Sequence, residues 1–134
     1  MPFEQTLREL GEHYGLTGLA LDETGRCALL LDGRQQVEIE HRPERGAIYL
    51  RLLLGLPALD EAAIGALLRR LLEACLLGEA TLGAVFAIDE DDRLSLQRQV
   101  VLRQGLRVSS LAAALEDLYG VARHVTTELG LDPV

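Results

Sequence analysis

Along this chain the apolar residues recur with a helical period in three stretches, and with a strand-like period or as short apolar runs in five others. The first helical stretch is 3–14, FEQTLRELGEHY, which puts Phe3, Leu7, Leu10 and Tyr14 on one face between Pro2 and Gly15. Gly11 inside it weakens the last turn by up to ~1 kcal/mol relative to Ala. The second stretch, around which the rest is arranged, runs from Asp60 to Leu77, DEAAIGALLRRLLEACLL. Asp60 supplies an N-cap after Pro57, and Gly78 supplies a stop. Its apolar positions are Ile64, Leu67, Leu68, Leu71, Leu72, Cys75 and Leu76. They cover roughly 180° of the helix surface, whereas a stripe of ~100° is enough to sit on one core. The surplus predicts a second partner for this helix, most simply another copy of the chain. The third stretch is a closing helix capped by Ser109 or Ser110, with Leu111, Leu115, Leu118, Ala122, Val125 and Leu129 on one stripe and Gly130 and Pro133 ending it.

Between the first two helices the period changes to that of strands. After Leu19-Ala20-Leu21, the turn Asp22-Glu23-Thr24-Gly25 leads into Cys27-Ala28-Leu29-Leu30-Leu31, and Asp32-Gly33 is a hairpin signal. Val37-Glu38-Ile39-Glu40 alternates apolar and polar, the pattern of a strand with one buried face. Pro43 to Gly46 turns the chain, and Ala47 to Leu54 reads as a third, more buried strand. A second hairpin follows the long helix: residues 83–88, an acidic tip at Asp89-Glu90-Asp91-Asp92, and a strand from Arg93 to Leu102. The predicted order is α-β-β-β-α-β-β-α. That is an α+β fold, a twisted antiparallel sheet with helices packed on it, in one domain spanning 1–134.

Composition narrows the function. The chain has 134 residues, 49% hydrophobic and 25% charged, which suits a globular domain with a real core. Net charge is −8 and the pI near 4.8. A phosphate backbone repels such a surface, and no basic run longer than Arg69-Arg70 exists, so nucleic acid is not an expected partner. The densest apolar run, Ile48 to Leu56, is too short for a bilayer and is broken by Arg51 and Pro57, so membrane insertion is not expected. The N-terminus lacks the features of a signal peptide, and Cys27 and Cys75 form no CxxC or Cys/His pattern. A cytoplasmic protein with reduced thiols is expected.

Catalytic motifs are absent. His13, His41 and His124 have no ligand partner at HExxH spacing, the three serines lie outside any GxSxG, and there is no P-loop or GxGxxG. The run Asp89 to Asp92 is the one stretch that invites a metal, and with it a small metal-dependent enzyme. An EF-hand loop, however, wants an acid at position 5 and Gly at 6, where this chain has Arg93 and Leu94. A solvated hairpin tip needs only polar residues, so no metal, cofactor or catalytic residue is expected. What remains is binding: a helix with surplus apolar face, and a sheet whose edges could accept an added strand.

In this order of elements the chain resembles the class I chaperones of bacterial type III secretion, the Tir-chaperone (CesT/SycE-like) family. The likeness runs through FEQTLRELGEHYGL, LALDETGRCALLLDG, QQVEIEH, AIYLRLLLG, the long helix from Asp60, TLGAVFAIDEDDRLSLQRQVVL and the closing helix from Ser110. Many members carry an Asn just after the long helix, where this chain has Leu76-Leu77-Gly78-Glu79.

The resemblance implies a cytoplasmic homodimer joined largely through the long helix. Its client would be the N-terminal chaperone-binding segment of a secreted effector, held extended against surface grooves and a sheet edge and released at the secretion ATPase. Mapped onto this chain, the dimer face is expected at Leu67, Leu68, Leu71, Leu72 and Cys75, and the client grooves at Phe3, Leu7, Leu10, Leu29, Leu31, Val85 and Phe86. A regulatory adaptor on the same fold, sequestering a regulator of secretion genes, is the alternative occupant of the same pattern.

Overall fold

The computed structural model describes residues 3–55, 60–76, 81, 83–89, 93–102 and 107–129. Helix α1 (Phe3–His13) leads into a loop that returns across its C-terminal end. The Leu16 amide donates to the Gly11 carbonyl (2.7 Å), and a Cβ on Gly11 would stand 3.0 Å from the Leu16 oxygen and 3.3 Å from the Leu19 side chain. Gly11, read from sequence as a weak point, is the residue that allows this close crossing.

Strands β1 (Arg26–Leu31), β2 (Gln35–Arg42) and β3 (Ala47–Leu54) form an antiparallel meander. At the first hairpin Asp32 and Gly33 both have positive φ (53° and 67°), and the Arg34 amide donates to the Leu31 carbonyl (3.1 Å). That is the primed turn an Asp-Gly pair favours. At the second, Pro43–Arg45 makes one turn of 3₁₀ helix, closed by Gly46 in the left-handed region. Helix α2 (Glu61–Ala74) follows, with the Asp60 carboxylate accepting from the Ala63 amide (2.9 Å) as its N-cap. The rest of the predicted helix exit, residues 77–80, lies outside the described residues. Strands β4 (Val85–Ile88) and β5 (Leu94–Val101) pair with each other, and β5 inserts beside β3. The sheet order is therefore β1-β2-β3-β5-β4, antiparallel throughout, with β1 and β4 at its edges.

Helix α3 (Val108–Leu129) starts at Val108, so Ser109 and Ser110 sit in its first turn rather than at its cap. It lies over β3 and β5, and α1 packs against it. The sheet residues in register on the apolar face are Val37, Ile39, Leu50, Leu52 and Leu96, each at most 1% exposed. They form one cluster with Leu7 and Leu10 of α1, Leu67 and Leu71 of α2, and Leu111, Leu115 and Leu118 of α3.

Candidate functional site: exposed apolar surface and the polar sheet face

Two neighbouring i, i+4 rows run along α2. Leu67 and Leu71 are buried, while Leu68 is half-buried against the core and Cys75, half-buried, ends the helix as its C-cap. Leu72 and Leu76 are each 71% exposed. The broad apolar arc seen in sequence is thus divided: one row belongs to the protomer's own core and the next faces outward. Of the five residues expected at a dimer face, Leu67 and Leu71 have almost no surface left to give, and Leu72 offers the most.

The expected client residues divide the same way. Phe3, Leu7, Leu10, Leu29 and Leu31 are all buried in the protomer. Phe86, paired with Leu96, faces the core and is half-buried, and its neighbour Val85 points to the other face and is exposed. Sequence reasoning passed over Leu30 and Ile88, exposed apolar side chains on the two edge strands at 48% and 45%. In the run Cys27 to Leu31 every residue is apolar, so no alternation marks Leu30, with Ala28, as turned away from the core. Only its register opposite Gln36 does so.

The sheet face opposite the core is polar and tightly paired. Glu40 is 1% exposed because three arginines cover it: Arg51 Nη1 donates to Oε1 (2.8 Å), Arg26 Nε donates to the same oxygen (3.0 Å), and Arg42 Nε donates to Oε2. Burial pushes the Glu40 carboxyl up, but the hydrogen bonds and charges of Arg51 and Arg42 outweigh it and hold the group below the ordinary carboxylate range. Beside it, Arg93 pairs with Glu38 (3.2 Å) and Asp89 (2.7 Å). Both Asp89 oxygens accept from Arg93, one from its backbone amide (2.9 Å) and one from Nε. Residues 90–92, the rest of the acidic run considered for a metal, lie outside the described residues. Burial also pushes the Cys27 thiol up, away from the reactive thiolate form.

A five-stranded antiparallel sheet backed by α1 and α3, with a half-embedded middle helix that leaves leucines in solvent, defines a small α+β binding protein. A model of the Tir chaperone protein (CesT) family matches residues 5–126, and the chain belongs to that family. Comparison with curated proteins gives no significant match. Among solved structures, the chain resembles one in the ExsC-ExsE complex with a TM-score of 0.79 at 25% identity, covering 95% of this chain and 92% of that one. It has the fold of a chain in the HopA1-SchA chaperone-effector complex (TM-score 0.69, 20% identity, 91% of each chain). It also has the fold of a chain in the complex of the Yersinia pestis type III secretion chaperone SycH with a fragment of YscM2 (0.66, 20%, 92% and 98%). Among the described residues no helix is long and apolar enough to cross a membrane.

Proposed function

We propose that this protein is a cytoplasmic type III secretion chaperone, folded as one domain over 1–134. It acts as a homodimer that binds the N-terminal segment of a secreted effector and keeps it soluble. The observation that carries this reading is where most of the exposed large apolar side chains among the described residues fall: Leu72 on α2 and Leu76 just past its C-cap, and Leu30, Val85 and Ile88 on the two edge strands, with Val101 apart from both groups at the end of β5. A symmetric partner accounts for the first group, since a two-fold axis brings the α2 rows of two copies together. An extended client accounts for the second, because an open edge offers unpaired backbone groups and the alternating side chains beside it give apolar footholds.

In this arrangement Leu68, Leu72, Leu76 and Cys75 meet the partner, and Leu67 and Leu71 support them from beneath. Val85 and Phe86 contact the client directly, together with Leu30 and Ile88. Phe3, Leu7, Leu10, Leu29 and Leu31 shape that surface from the core. The protein is a binder rather than an enzyme: its family is one of chaperones, and the Asp89 carboxylate is already engaged by Arg93. The complex meets the secretion ATPase while the client is bound.

Co-expression with the N-terminal segment of a type III effector from the same genome tests the reading. A soluble complex of two protomers and one effector segment, with the segment insoluble alone, is the expected result. An effector segment that stays insoluble with the chaperone present, across the effectors of that genome, overturns it. L30D with V85D should release the segment while leaving the dimer intact.

A further inference from the structure

Two cavities, of about 420 and 370 Å³, adjoin on the sheet face opposite the core. Leu30 of edge strand β1 and Leu53 of β3 line the first, and Ala87 and Ile88 of edge strand β4 line the second. Glu38 and Arg93 line both, so the wall between the cavities is the ion pair these two make, Arg93 Nη1 to Glu38 Oε2 at 3.2 Å.

The sheet register fixes what that pair crosses. Strand β3 lies between β2, which carries Glu38, and β5, which Arg93 precedes by one residue. Glu38 stands opposite Arg51 and Leu94 opposite Leu54, so the outer-face residue of β3 between these two levels is Leu53. Its neighbours Leu52 and Leu54 belong to the core cluster; Leu53 points the other way and does not, yet it is only 6% exposed. An arginine stem laid across a leucine supplies such apolar cover while its guanidinium stays near water. The near end of Arg93 is held firmly by Asp89, through the backbone amide (2.9 Å) and Nε (2.7 Å). Its far end rests on Glu38 through one contact between partly exposed groups, which contributes little to stability.

We infer that the Arg93–Glu38 pair is a strap that the effector segment displaces. Opening it joins the two cavities into one groove across the sheet, from Leu30 on β1 to Ile88 on β4, and seats an apolar side chain of the segment on Leu53. This rests on the reading of the protein as an effector chaperone. The occupant follows from where the groove ends: both ends are exposed edge-strand residues assigned to the client, whereas the α2 row assigned to the second copy lines neither cavity.

The probe is a fluorescein-labelled peptide cut from the N-terminal segment of an effector of the same genome, short enough to stay soluble. In leucine-methyl spectra of the full chain, the peptide should shift the Leu53 methyls and leave those of Leu50, on the core face, in place. E38Q/R93A removes the strap without changing net charge, and should bind the peptide about two- to fivefold more tightly, the amount by which a partly exposed ion pair holds the closed state. E128Q, which breaks the His124–Glu128 pair on α3, should leave the affinity unchanged. A peptide that binds the wild type without moving the Leu53 methyls overturns the strap and leaves the chaperone reading standing, and so does an E38Q/R93A variant with an unaltered melt that binds equally or more weakly. Leu53 shifts that depend on protein concentration alone assign the groove to a second copy and overturn it as well. Failure of every peptide, together with failure of co-expression, removes the chaperone reading and this inference with it.

Discussion

The outward leucine row of α2 allows a sharp test, because two adjacent residues of the same type face opposite fates. Leu72 is 71% exposed in the protomer, and Leu71, one residue earlier, is 2% exposed. Burying a whole leucine side chain is worth roughly 1.5–3 kcal/mol, so covering the exposed part of Leu72 is worth about 1–2 kcal/mol. A two-fold interface counts each residue twice, so L72D removes about 2–4 kcal/mol per dimer, a rise in dissociation constant of roughly 30- to 700-fold. Buried carboxylates facing each other add to the loss. L76D should act by the same route, and the double variant L72D/L76D should be a folded monomer at micromolar concentration. L71D places a charge in the protomer's own core and should abolish the cooperative melt altogether. Sedimentation velocity gives the association state, and circular dichroism tells a folded monomer from an unfolded chain. A double variant that still sediments as the wild-type dimer refutes the assignment of this row to the partner. A wild-type protein that is monomeric at those concentrations refutes the dimer itself.

Two further outcomes follow from the protomer. E40Q leaves three arginines around a neutral group; because two of them are about half-exposed, the loss should be about 2–3 kcal/mol, below the 3–5 kcal/mol typical of a fully buried pair. Since Glu40 has a lower pKa folded than unfolded, its linked stabilisation is complete above the unfolded value of about 4.3 and disappears as pH falls through the folded one. The stability gap between wild type and E40Q, read from urea melts at fixed protomer concentration, should therefore be full at pH 7 and shrink below pH ~4; a gap that is constant down the acid range contradicts the network. G11A gains up to ~1 kcal/mol of helix propensity but presses a Cβ against the hydrogen-bonded Leu16 carbonyl, and overpacking costs about 1–3 kcal/mol. A net destabilisation of about 1 kcal/mol is expected, and a stabilised G11A would show that the loop crossing gives way easily.

The order of elements was legible because each carries its own local signal. Asp60 caps α2 as its position promised, Asp32-Gly33 turns the first hairpin, and Ala47–Leu54 forms the central strand over the range its apolar run marks. The start of α3 was less so: Ser109 and Ser110 resemble caps, yet Val108 already lies in the helix. Gly11 was readable as a cost but not as a necessity, since the chain that approaches it arrives from Leu16 and Leu19. Glu40 reads from sequence as one solvent-facing residue of an alternating strand. Its burial depends on arginines from β1, from β3 and from the end of its own strand, which only the sheet register brings together.

The sequence by itself determined which segments are helices and which are strands, that the fold is α+β, and that α2 has more apolar surface than one core needs. These follow from period, capping and turn chemistry, all of which act over a few residues. Only the tertiary structure decided how that surplus is divided. Hydrophobic burial is non-directional, so Leu71 and Leu72, or Leu29 and Leu30, are chemically equivalent until the packing of distant elements assigns one to the core and leaves the other in solvent.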